Sequence, residues 1–383
     1  MGPPGSKVFR SPEGLDLRLG GRLAAFELVY ETWGRLTPSA DNALLLCCGL
    51  SASSHAASTP SHPEPGWWEP MIGPGKAIDT DRYFVICSNV LGGCFGSTGP
   101  SSPHPATGRP WATDFPLITI WDMVEAQARL LTALGIDRLQ AVIGASMGGM
   151  QAMALAAAFP AKVRRMIAIS APGRSYPLSI SLRFTQRQAV IRDPAWRGGR
   201  YYPGPGPRSG LHLARQIGTI TYRSGPEWDR RFARERRPRP AGSADPFAVD
   251  YEVESYLVHQ GDRFVDRFDA NSYLYLSKAM DDFDLGDGCP SYEEGVGRIA
   301  CPCLLIGVTT DLLFPVGQQE EVARILREWG RECRFVRLDS VYGHDAFLIE
   351  IDRFGRLISS FLAPDAGRGD DGPMGGLEAI SGG

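Results

Sequence analysis

Short, fully apolar runs recur along the chain, separated by stretches with helical periodicity. Residues 43–48 (ALLLCC) and 83–89 (YFVICSN) show little polar alternation, as strands buried on both faces do. The same pattern returns at 139–145 (LQAVIGA), 164–171 (RRMIAISA), 301–311 (CPCLLIGVTTD) and 333–340 (CRFVRLDS). Between these runs, 119–136 (TIWDMVEAQARLLTALGI) reads as an amphipathic helix with Thr119 and Asp122 near its start. An alanine-rich helix covers 147–159 and a last helix falls near 346–362. Ahead of them, 15–34 alternates around Gly20-Gly21, an antiparallel hairpin signal. The β/α alternation predicts an α/β fold: a mostly parallel, doubly wound sheet with helices on both faces.

The rhythm breaks from about 174 to 297, where helical segments mix with aromatic, Gly- and Pro-rich pieces such as YYPGPGPRSG. The sheet pattern brackets this segment, so it reads as a helical lid inserted at 174–297 into a core made of 15–173 and 298–363. A flexible N-terminus is expected over 1–14. The Gly/Asp-rich end, 364–383, is expected to be disordered. No internal repeat is present.

Composition narrows the function classes. The chain has 383 residues, 43% hydrophobic and 22% charged, with a net charge of −3. That balance gives no reason to expect nucleic-acid or membrane-surface partners. The basic run at 230–240 (RRFARERRPRP) reads as a solvated loop. The eight cysteines lack metal-ligand spacing, so no metal is expected. Several sit in apolar runs as small hydrophobes, which favours a reducing, cytoplasmic setting. No run of 18 apolar residues and no leader pattern occurs. The Met-Gly start formally fits a myristoylation pattern, but Pro3 and Pro4 follow the glycine directly and the match reads as chance.

The chemistry is carried by Gly144-Ala145-Ser146-Met147-Gly148, a G-x-S-x-G turn between a strand and a helix. Glycines are expected at both flanks because side chains there would clash as the chain reverses. The serine is lifted above the sheet edge, over a helix N-terminus whose free N–H groups favour negative charge. The Met147 N–H then faces a developing oxyanion. A serine hydroxyl needs a base, and the base an orienting acid, in the chain order Ser, acid, His. Asp311 follows a late strand, and His344 lies in the loop after the last one. His55, His62 and His104 precede the serine, and His212 and His259 fall in the lid segment. As alternatives, Asp311 reads as a helix cap and His344 as a surface histidine. The loop after 43–48 offers the Leu50 N–H as second oxyanion donor beside Gly49; read plainly, it is a Gly/Ser loop. These residues predict an α/β-hydrolase fold and acyl transfer through Ser146, Asp311 and His344, without saying which hydroxyl or water takes the acyl group.

Longer motifs add a family. GWWEPMIGPGKAIDTDRYFVICSNVLGGCFGSTGPSS, GASMGGMQAMALAAAFP, RQAVIRDPAWRGGRYY, ARQIGTITYRS and GHDAFL together resemble the homoserine and serine O-acyltransferases over about residues 15–362. The resemblance implies an acyl-CoA donor and an L-serine or L-homoserine acceptor in sulfur amino-acid synthesis. No cofactor is implied beyond those substrates, and a homodimer through the lid helices is. It assigns Ser146, Asp311 and His344 to the triad, and Arg215 and Asp345 to the acceptor's carboxylate and ammonium; without it they read as a helix-surface charge and a cap. The loop Cys48-Gly49-Leu50-Ser51-Ala52 departs from the homoserine acetyltransferase pattern. Together with EWDRRFAR and YEVESYL it resembles the serine O-succinyltransferase branch. Gly49, Leu50, Ser51 and Ala52 are therefore expected to set acceptor choice. Arg183 is expected to read the distal carboxylate of a succinyl donor, against the reading of an ordinary lid arginine. The competing expectations are an L-homoserine O-acetyltransferase, an esterase or thioesterase on the same triad, and a catalytically idle binding protein.

Overall fold

The computed structural model describes residue 2 and residues 4–238 and 245–363. Eight strands form one sheet: β1 (Lys7–Ser11), β2 (Phe26–Trp33), β3 (Ala43–Cys47), β4 (Phe84–Ser88), β5 (Ala141–Ala145), β6 (Met166–Ile169), β7 (Cys303–Val308) and β8 (Cys333–Leu338). Their spatial order is β1-β2-β4-β3-β5-β6-β7-β8. The β1–β2 and β2–β4 pairs are antiparallel and the rest parallel. Strands β3, β5, β6 and β7 are buried at every position, as their unbroken apolar runs require. The register aligns Ala145 with Ile169 and Ile169 with Ile306, so the parallel strands finish at one common edge.

The first helix, α1 (Ile120–Ala133), starts with a reciprocal capping box: Thr119 Oγ1 accepts from the Asp122 N–H, and Asp122 Oδ2 accepts from the Thr119 N–H at 2.7 Å. Next, α2 (Met147–Ala158) is buried on all sides through Ala157. Its small residues let it lie directly on β3, β5 and β6. Among the described residues between β6 and β7 come six α-helices: α3 (Pro177–Ile191), α4 (Arg208–Thr221), α5 (Gly225–Phe232), α6 (Glu252–Val265), α7 (Ala270–Asp281) and α8 (Tyr292–Gly297). Helix α9 (Gly317–Glu328) packs on β7 and β8. Among the described residues no helix is long and apolar enough to cross a membrane.

Two boundaries differ from expectation. The N-terminal residues expected to be flexible include β1, paired from Lys7↔Tyr30 to Ser11↔Phe26. This strand escaped notice because it is an edge strand, and only Ser11 of its five residues is buried. The single last helix is two, α10 (Ala346–Ile349) and α11 (Ile351–Leu362), broken at Glu350 with φ −89° and ψ 54°. The expected tail at 364–383, and residues 239–240 of the basic run, lie outside the described residues.

The contact between α2 and the end of β3 leaves no room for a side chain. A Cβ on Gly148 would sit 2.2 Å from the Cys47 carbonyl oxygen, whereas one on Gly317 would meet nothing within 4 Å. Gly148→Ala should therefore destabilise the protein by about 1–3 kcal/mol, as overpacking against rigid backbone does. Gly317→Ala should be neutral or slightly stabilising. Chemical denaturation midpoints check this, and equal midpoints for both variants contradict it.

Candidate active site

Ser146 stands between β5 and α2 with φ 57° and ψ −127°, a left-handed conformation that a serine adopts only under constraint. Its N–H donates to the Ile169 carbonyl at 2.9 Å, tying the turn to β6. The flanking glycines are sterically required, since a Cβ on Gly144 would lie 2.0 Å from the Gly148 carbonyl oxygen. Met147 is the first residue of α2, so its N–H has no acceptor within the helix. Across the turn, Gly49 approaches the Ala145 carbonyl, with an added Cβ 3.9 Å away. The Leu50 N–H makes no backbone hydrogen bond among the described residues. Gln151, fully buried on α2, locks the two donor-bearing segments together. Its Nε2 donates to the Cys48 carbonyl at 2.9 Å and to the Met147 carbonyl at 3.2 Å.

Asp311 and His344 come together at the same sheet edge. His344 Nδ1 lies 2.7 Å from Asp311 Oδ2, while Asp311 Oδ1 accepts from the Leu313 and Phe314 N–H groups, both at 2.9 Å. The carboxylate is thus held by backbone on one side and aimed at the ring on the other. It caps the turn before α9 rather than the helix itself, which starts at Gly317. Burial alone would push the His344 ring down in pKa. The Asp311 charge and hydrogen bond, with the Asp345 charge, outweigh it and hold the ring above its ordinary value of 6.5. Among the described residues no hydrogen bond joins Ser146 to His344. Such bonds are often long in empty sites and tighten with substrate.

Two arginines approach the base, each behind one aromatic ring. The Arg215 guanidinium lies 5.5 Å from the Tyr222 ring centroid, and that ring is 5.8 Å from His344. The Arg183 guanidinium lies 5.9 Å from the Phe314 ring, itself 5.4 Å from His344. Arg183, expected to read the distal carboxylate of a succinyl donor, is already engaged within the protein. Its Nε pairs with Asp281 at 2.5 Å, its Nη2 donates to Ser175 Oγ at 2.8 Å, and Arg187 shares the same carboxylate at 2.5 Å. Only Nη1 is left, buried and unpartnered, and Arg215 Nε is buried and unpartnered likewise. Asp345 lies beside the base, its N–H donating to the Tyr222 carbonyl at 3.2 Å.

The sequence reading missed a brace behind the donor loop. Buried Glu31, on β2, accepts from Ser54 Oγ at 2.9 Å and lies 2.9 Å from His55 Nδ1, gripping two consecutive loop residues. The signal was available: a carboxylate inside an otherwise apolar strand, FELVYETW. Glu31, His55 and His62 are the group of ligand-type side chains whose atoms come within 4.8 Å among the described residues. However, Nε2 of His55 already meets the Glu64 carbonyl at 2.8 Å, and the His55 and His62 rings stack at 3.7 Å. Both His55 ring nitrogens already face protein oxygens, so the group reads as support for the loop.

Residues 42–350 match the α/β hydrolase fold family. The chain is 50% identical over 365 residues to a serine O-succinyltransferase from Litchfieldella anticariensis, covering 94% of this chain and 99% of the relative. It is 52% identical over 354 residues to a homoserine O-acetyltransferase from Symbiobacterium thermophilum, covering 91% of each. Among solved structures, a homoserine O-acetyltransferase from Bacillus anthracis superposes with a TM-score of 0.86 at 30% identity, over 95% of this chain and 99% of that one. An enzyme described as esterase E22 superposes with a TM-score of 0.85 at 30% identity, over 94% and 99%.

The raised His344 sets a pH dependence. A base must be neutral to accept the serine proton, so activity should be low at acid pH and rise through a value above 6.5. The stabilisation from the charged His344–Asp311 pair runs the other way: present at low pH, lost as pH rises through the folded-state value. Asp311→Asn should cut kcat on the order of 10⁴-fold. It should also move the acid limb of the kcat/KM profile down. A limb that stays in place in that variant would detach Asp311 from the base.

Proposed function

The chain belongs to the α/β hydrolase fold family and to its serine and homoserine O-acyltransferases, and from that premise we propose a ping-pong transfer of an acyl group from succinyl-CoA to the hydroxyl of L-serine. The observation that carries the mechanism is the constrained Ser146 turn beside the His344–Asp311 pair. Ser146 Oγ attacks the thioester carbonyl while His344 takes its proton. The C–S bond breaks, and the proton passes from His344 to the departing CoA sulfur. The acceptor hydroxyl then attacks the acyl-serine, giving its proton through His344 back to Ser146 Oγ. The N–H groups of Leu50 and Met147 stabilise the oxyanion in both steps. No cofactor takes part, and the product feeds sulfur amino-acid synthesis.

Substrate choice rests on the buried cations. Arg183 and Arg187 share one carboxylate, which leaves the trio positive, and the unpartnered Arg183 Nη1 suits the distal carboxylate of a succinyl group. The unpartnered Arg215 Nε suits the α-carboxylate of an amino acid, and Asp345 its ammonium. Loop Gly49–Ala52 limits the room above Ser146, which favours serine over homoserine by about 1–3 kcal/mol, the worth of one methylene. The relative from Symbiobacterium keeps L-homoserine O-acetylation as a second reading. Esterase E22 keeps hydrolysis as a third. A homodimer is compatible with α3 and α4, which leave Leu178, Phe184, Leu213 and Ile220 exposed.

Free-thiol release from acyl-CoA, with and without amino acid, separates these readings. Release that requires L-serine supports transfer, and equal release in water alone supports hydrolysis. Ser146→Ala should fold and release no CoA, and wild type given donor alone should carry an acyl adduct on Ser146 by mass spectrometry. An active Ser146→Ala would overturn the mechanism.

A second test concerns the donor. Arg183→Ala should lose about 2–5 kcal/mol of transition-state stabilisation with succinyl-CoA. It should change little with acetyl-CoA. An equal loss with both donors would make Arg183 a structural residue, and wild type preferring L-homoserine would move the chain to the second reading.

A further inference from the structure

Arg223 sits in the turn between α4 and α5. Its Nη1 donates to Glu227 Oε1 at 2.7 Å, and its Nε lies 3.3 Å from Asp345 Oδ2. All three side chains are largely buried: 15% exposed for Arg223, 6% for Glu227 and 22% for Asp345. The turn is clamped to the base loop. Asp345 N–H donates to the Tyr222 carbonyl at 3.2 Å, and Ser224 Oγ donates to the Val341 carbonyl. A Cβ on Gly343 would lie 3.0 Å from both Tyr222 O and Arg223 C. Glu227, Arg223 and Asp345 thus form an alternating row of charge that ends beside His344.

The row has loose ends that point to a ligand. Arg223 Nε is buried without a hydrogen bond, because the 3.3 Å approach to Asp345 is misaligned. Asp345 Oδ1 accepts no hydrogen bond among the described residues. Buried orphan donors are rare and call for an explanation. A row ending in a carboxylate with one free oxygen is completed by a cation.

We infer that Arg223 is a positioning residue for the acceptor: it holds the Asp345 carboxylate, ionised and oriented, to receive the ammonium of the amino acid. The inference deepens the acyltransferase reading and rests on it. Electrostatics agree in direction. Burial pushes the Asp345 carboxyl up. The charges of Arg223, then His344 and Arg215, oppose it, while Asp311 adds to it. Arg223 is the first of the opposing charges, so its loss would protonate Asp345 at a higher pH and leave the ammonium without its partner. Glu227, itself pushed up by burial and opposed chiefly by Arg223, keeps the guanidinium from swinging away.

Ping-pong kinetics separate this role from a structural one, since the donor half-reaction needs no ammonium. The full chain would be compared as wild type, Arg223→Met and Arg223→Lys. The donor step is read as the burst of free thiol from succinyl-CoA or acetyl-CoA alone, the acceptor step as kcat/KM for L-serine. In Arg223→Met the burst rate should stay within about twofold of wild type. Acceptor kcat/KM should fall roughly thirtyfold, the low end for a part-buried charge pair. The fall should come mainly through KM, and the acid limb of the acceptor profile should move to higher pH. Arg223→Lys should recover part of the loss by restoring the charge, and it carries the test if Arg223→Met does not fold. An equal fall in both half-reactions, or an unchanged acceptor kcat/KM, overturns the inference. A wild type without a burst from either acyl-CoA overturns the acyltransferase reading instead, and is recognised before any variant is made.

Discussion

The site depends on one close approach of backbone to backbone. Gly148 meets the Cys47 carbonyl, and Gly144 meets the Gly148 carbonyl, at distances where any Cβ would collide. These contacts bring the end of β3, the end of β5 and the start of α2 into one knot. The knot forces Ser146 to positive φ and sets the loop after β3 beside the helix N-terminus. Two segments far apart in sequence, carrying the Leu50 and Met147 N–H groups, are tied together for that reason. Gln151 binds both segments, and its side chain in turn accepts from Gln127 of α1 at 2.8 Å. A strained serine persists only where its surroundings over-determine it. Here sheet register, helix packing and a buried amide network all act on the turn from Gly144 to Gly148.

Around this knot the charges are arranged in partial pairs. Asp311 spends one oxygen on backbone and one on His344. Arg183 spends two nitrogens and keeps one. Arg215 faces rings in place of acids, with Tyr222 at 5.5 Å and Phe264 at 4.9 Å. A protein selected only for stability would satisfy or remove such groups, because each orphan buried donor costs about 1–3 kcal/mol. Keeping several within one aromatic layer of the base is the arrangement expected where substrate carboxylates supply the missing partners.

Legibility followed the range of the contacts. Strands β3, β5, β6 and β7 were visible because full burial writes itself as an unbroken apolar run. Ser146 was visible because the strand–turn–helix constraint is local, and the chain order of the elements singled out Asp311 and His344. The edge strand β1 was not visible, since neither face is consistently buried. The Glu31–His55 contact spans 24 residues, and the Arg183–Asp281 pair spans 98. Pairings of that kind carry no periodicity. They show in sequence only as a polar residue where an apolar one belongs, as Glu31 and Gln151 do.

The same geometry bears on transfer against hydrolysis. A triad and two oxyanion donors stabilise the attack of any oxygen nucleophile on an acyl-serine, so they cannot choose between water and an amino acid. Choice must come from interactions that only one nucleophile can make, and made more strongly in the transition state than before it. Water has neither a carboxylate for Arg215 nor an ammonium for Asp345. An amino acid held at both ends brings its hydroxyl to the acyl carbon already oriented, an advantage that reaches several kcal/mol in well-aligned cases, roughly 7–11 at the limit. On the proposed reading, the charged residues around His344 are where a hydrolase architecture would be turned towards transfer.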